Sequence, residues 1–127
     1  MFILTNKNHR LLDNPHLPIY VVGIYNPLYL NFPELTSIQS AVDRWNETTE
    51  ETIAQFDQVY FVPINDLLYK GIDGKMGVSE VSDGKTTVIN DALYEEDSFH
   101  PNNSGYEKMK QAILEKINAT KKTWTQK

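Results

Sequence analysis

The residues best suited to chemistry lie in one stretch, Asp97-Ser98-Phe99-His100-Pro101-Asn102-Asn103-Ser104-Gly105-Tyr106, where a long irregular connection gives way to a final helix. Pro101 restricts the residue before it to extended backbone, which keeps His100 off the helix and free to project. Asp97 lies three residues back on the same loop. A carboxylate there can accept the Nδ1–H of the imidazole, fix its tautomer and stabilise the imidazolium formed when Nε2 takes a proton. A pair of this kind is a general base for a hydroxyl nucleophile. Taken alone, D-x-x-H also describes a loop ion pair or a helix cap.

Other chemistry-bearing residues form weaker patterns. His9 and His16 show no H-x-x-x-H or H-x-H spacing, so no metal site is expected. Asp73-Gly74-Lys75 does not continue into a calcium loop. Gly77-Val78-Ser79-Glu80-Val81 lacks the second glycine of a G-x-S-x-G elbow. Asn65-Asp66 reads as an Asx turn. The sequons at Asn46, Asn102 and Asn118 fall on helices or their caps and read as chance, and Glu95 and Glu96 read as solvent-facing. With no cysteine in the chain, thiol catalysis, thiolate metal sites and disulfides are excluded. No cofactor is implied.

These residues must be positioned by a small scaffold. At 127 residues and 14.6 kDa the chain is one domain or a piece of one. Twelve basic against seventeen acidic residues give a net charge of −5, which disfavours a phosphate-tracking nucleic-acid binder. No apolar run approaches the roughly 18–20 residues of a membrane span. The opening Met1–Lys7 turns polar too soon for a secretory signal.

Pro18–Tyr25 is a continuous β-branched and aromatic run, the mark of a strand covered on both faces. A helix follows, with Thr36 and Gln39 as a capping box. Its apolar stripe runs through Ile38, Val42, Trp45, Thr49, Ile53 and Phe56, with Trp45 in the core and Asp43, Glu47, Glu50 and Glu51 on a solvated face. Val59–Ile64 supplies a second buried strand, and strand, helix, strand reads as a right-handed βαβ unit. Met76–Val81 and Thr86–Ile89 suggest a hairpin around Asp83-Gly84. The last helix runs from Ser104 to Ile117, capped by Ser104 and Glu107, with Tyr106, Met109, Ile113 and Ile117 buried. Residues 1–17 form a lead-in, and 118–127 read as a frayed tail.

D-x-x-H-P-N followed by Gly105-Tyr106 and a terminal amphipathic helix resembles the last motif block of the SGNH (GDSL-type) ester hydrolases, closest to the bacterial lipase/acylhydrolase branch. The resemblance covers residues 15 to 118, including the strand that ends in Tyr25-Asn26-Pro27. It implies an α/β, flavodoxin-like sandwich of which this chain is the C-terminal part. It implies cleavage of carboxylic esters, small or lipid-like, with His100 as the base and Asp97 as its orienting acid. Relatives of that branch are often extracytoplasmic. The family's G-D-S nucleophile and G-x-N-D block have no counterpart here: no serine precedes Pro18, and Asn65-Asp66 lacks the glycine. The isolated chain is therefore expected to be inactive, and to pair with a second copy or with a missing N-terminal half. The alternative is a non-catalytic module that uses the half-fold for self-association or partner binding.

Overall fold

The computed structural model describes residues 16–29, 32, 34–68, 78–82, 87–93, 96, 97 and 99–125. The elements are β1 (Ile19–Val22), α1 (Thr36–Ile53), β2 (Val59–Val62), the single turn α2 (Asn65–Leu68), β3 (Val78–Ser82), β4 (Thr87–Asn90) and α3 (Asn103–Thr125). The chain is mixed α/β. β1 and β2 run parallel with Ile19 opposite Val59 and Val22 opposite Val62, as the strand-helix-strand order requires.

Alternation along the strands sends each face to its own helix. Ile19, Val21, Val59 and Phe61 pack with Ile53 at the end of α1 and with Phe56 beyond it. Val22 and Val62 turn to the other face, where Ile64, Leu68 and Ala92 meet Met109, Ala112 and Ile113 of α3. Both strands are shorter than their apolar runs. Pro63 has no N–H to extend β2, and after Gly23 the chain leaves the ladder. Ile24 finds a side-chain partner instead: Asn46 of α1 accepts from its N–H and donates to its C=O, both at 2.9 Å.

Five expectations are corrected. Tyr106 of α3 is 55% exposed rather than part of the helix's buried stripe. Thr36 does not cap α1: the cap position is Leu35 without a side-chain bond, because Gln39 is drawn to Asn26 and Asp43. Trp45 is 58% exposed rather than core, since the buried line of α1 runs through Val42 and Ile53. Asn65 is not a local turn-former: buried at the start of α2, it accepts from the Asn26 N–H at 2.9 Å and reaches Asp43 at 3.3 Å. The segment from Asn118 to Thr125 does not fray. α3 continues to Thr125 because Thr120 and Trp124 hydrogen-bond the Tyr20 hydroxyl, at 2.8 and 3.0 Å, and Thr123 meets the Tyr60 hydroxyl. Tyr20 and Tyr60 stack at 5.3 Å beneath it.

β3 and β4 form the antiparallel hairpin, with Ser82 opposite Thr87 and a bulge between Val78 and Glu80. Its Asp83-Gly84 turn, the Asp73-Gly74-Lys75 stretch, His9 and residues 1–15 lie outside the described residues. No helix among the described residues is long and apolar enough to cross a membrane.

Candidate active site

The hairpin delivers the chain to Asp91, Ala92 and Leu93, and α3 begins ten residues after Leu93. Asn102 joins the two ends. Its amide donates to the carbonyls of Asp91 and Leu93 at 2.8 and 2.9 Å, and its Oδ1 accepts from the Gly105 N–H at 3.0 Å. That last bond is the N-cap of α3, so Asn102 and not Ser104 starts the helix; Glu107 pairs with Lys110 instead of closing a box. The Asn102 N–H also reaches the Ala92 carbonyl at 3.0 Å, and Pro101 bridges to Leu93. Gly105 is needed at this junction, because a Cβ there would stand 2.2 Å from the Ala92 carbonyl oxygen.

On the loop so closed, Asp97 and His100 meet. The Asp97 Oδ1 accepts from the Phe99 and His100 amides at 2.8 and 3.0 Å, and its Oδ2 lies 2.6 Å from His100 Nδ1. The Phe99 amide first, then the His100 amide and ring, hold the Asp97 carboxyl down at about 2, so it is ionised through the neutral range. With an anion as partner, Nδ1 is the nitrogen that carries the proton, leaving Nε2 to act. The His100 side chain is 76% exposed, and among the described residues Nε2 holds no hydrogen bond.

From the opposite side Tyr25, three residues beyond β1, donates its hydroxyl to the Phe99 carbonyl at 2.6 Å. Burial, then the neighbouring Tyr106 and Asp97, push the phenol above its ordinary pKa, so it remains a donor. Beside His100 lies a groove of about 420 Å³ along the end of β1, lined by Ile24, Tyr25, Pro27, Ile64, Phe99 and Met109 among others. Its lining is mainly apolar and, among the described residues, contains no serine, threonine or cysteine. A larger groove, about 680 Å³, lies between α1 and α3 at Phe61 and Pro63. Among the described residues it carries the carboxylates Asp43, Glu47, Glu50, Asp66 and Glu115, whereas the paired Asp97 and His100 stand at the smaller groove.

Asp97 and His100, singled out from the sequence, are thus brought together. Tyr25 and Asn102 were missed as parts of the site. Asn102 stood within the D-x-x-H-P-N block as a good capping residue, whereas nothing local marks Tyr25, whose partner is 74 residues away.

No family model and no solved structure matches the chain. It is similar to the uncharacterized protein YpmR of Bacillus subtilis (strain 168), with 29% identity over 104 residues, 82% of this chain. The chain spans about a third of that protein's length, 34%.

Proposed function

We propose that this chain carries the base side of an acyl-ester hydrolase of the SGNH type, the C-terminal part of a flavodoxin-like sandwich. His100 is the general base and Asp97 the acid that orients it. The carrying observation is the 2.6 Å contact from Asp97 to His100 Nδ1 beside an apolar groove at the end of a parallel strand. A serine from a segment outside this chain lies at Nε2, which takes its proton as it attacks the ester carbonyl and returns it to the leaving alcohol. That segment also supplies the oxyanion donors, and the apolar groove suits the uncharged part of a small or lipid-like ester. The chemistry calls for no metal or organic cofactor.

The partner is the missing N-terminal half or, failing that, a second copy of the chain. β1 is paired on one edge among the described strands and its four residues are only half-buried, whereas three of the four in β2 are buried. The same observation favours a second reading, a non-catalytic module that self-associates through this edge.

The test is a chimera in which this chain replaces the matching third of the Bacillus subtilis relative. We expect both proteins to hydrolyse p-nitrophenyl butyrate, and His100→Ala to lower the chimera's kcat by roughly 10³-fold or more. A chimera whose turnover is indifferent to His100→Ala, or a relative and chimera that both leave every short-chain ester intact, overturns the hydrolase reading.

A further inference from the structure

The peptide unit between Phe99 and His100 is held at both polar ends. Its N–H, from His100, donates to Asp97 Oδ1 at 3.0 Å, and its C=O, from Phe99, accepts from the Tyr25 hydroxyl at 2.6 Å. The two anchors differ in kind. Asp97 is on the same exposed loop, three residues away, and moves with it. Tyr25 stands beyond the end of β1, and its ring packs against the cluster of Val62, Ile64, Leu68 and Ala92. Of the two, only Tyr25 ties the loop to the sheet.

We infer that Tyr25 is a positioning residue for His100, its phenol fixing the plane of the 99–100 peptide and thereby the direction in which the imidazole leaves the backbone. The remaining freedom at His100 is small. The peptide plane that Tyr25 and Asp97 hold fixes the direction of its N–Cα bond, and its ψ is confined by Pro101, itself bridged to Leu93. The ring is then fixed by the Nδ1 contact to Asp97. Asp97 alone orders the loop internally; with Tyr25 the ordered loop is set in register with the groove, which Tyr25 itself lines. A phenylalanine at this position keeps the apolar packing and loses only the anchor.

The consequence for catalysis rests on the hydrolase reading, but the positioning does not, and the test separates the two. In the full 127-residue chain, the exchange of the His100 amide with solvent and the ¹⁵N pattern of its imidazole are compared for wild type, Tyr25→Phe and Tyr106→Phe. The Trp124 indole signal, tied to Tyr20, reports that each variant is folded. Tyr25→Phe is expected to speed His100 amide exchange roughly 3- to 10-fold, the effect of losing one hydrogen bond. The Nδ1–H tautomer, which Asp97 enforces, should be kept, while Tyr106→Phe, an exposed neighbour, changes neither. In the chimera, Tyr25→Phe is expected to lower kcat with KM unchanged. Wild-type amide exchange in a folded Tyr25→Phe chain, or the same acceleration in Tyr106→Phe, overturns the inference. A chimera without turnover overturns the hydrolase reading and leaves the amide result to decide the positioning role.

Discussion

The carboxylate of Asp97 holds His100 twice, through its backbone N–H at 3.0 Å and through Nδ1 of its ring at 2.6 Å. A side chain that binds only the ring fixes a tautomer; one that binds the amide as well fixes where the ring starts from.

Asp97 is also the group whose titration should undo the site. Folding lowers its pKa from 3.8 to about 2, so its contribution is complete above about pH 4 and is lost as the pH falls through about 2. Carboxyl ¹³C titration of Asp97 with the His100 amide shift should show both moving together within that window. A midpoint at an ordinary aspartate value would contradict the hydrogen-bond scheme. In the chimera, Asp97→Asn should reduce kcat roughly 10²- to 10⁴-fold without unfolding the chain, because the tautomer is no longer enforced.

Tyr25 sets the opposite limit. Its pKa is raised, by burial foremost, so the anchor is complete below about pH 10 and is lost as the pH climbs through the raised value. Phenolate absorbance in an alkaline titration should include a late component that Tyr25→Phe removes. Loss of an early component instead would show that the phenol is not sheltered.

Gly105→Ala should destabilise the chain by about 1–3 kcal/mol, the range for overpacking, because its Cβ meets the Ala92 carbonyl at 2.2 Å. Urea unfolding measures it, and an unchanged midpoint would mean that α3 does not start against Ala92. Asn102→Ala removes a cap and two further bonds, at a cost of about 2–4 kcal/mol.

Removing residues 118–127 should cost at least about 2 kcal/mol, since the Tyr20 and Tyr60 hydroxyls lose their partners on Thr120, Thr123 and Trp124. An unaltered unfolding curve would mean that the last turns are ornamental.

The purified chain should sediment as a dimer or larger assembly, because among the described strands β1 is paired on one edge and Trp45, Tyr106 and Leu114 stand exposed on the helices. A stable monomer with cooperative unfolding would contradict the open-edge argument.

What could be read in the sequence was local. Continuous β-branched runs marked β1 and β2, helical spacing marked α1 and α3, and D-x-x-H before Pro101 marked the Asp97–His100 pair. What could not be read depends on partners far along the chain. Asn65 looked like a turn-former until Asn26, 39 residues away, claimed its side chain. The segment Asn118–Thr125 has few strong helix formers, and its order comes from Tyr20 and Tyr60, 100 and 63 residues distant. Trp45 fell on an apolar spacing, yet α1 turns a narrower stripe to the sheet than that spacing suggests.

His100 is proposed as the base for a hydroxyl supplied by another segment. The most direct test of that role is chemical rescue: p-nitrophenyl butyrate turnover by the His100→Ala chimera, measured with and without free imidazole. Turnover should be close to background without imidazole and recover saturably with it. Undiminished turnover by His100→Ala without imidazole would contradict that role.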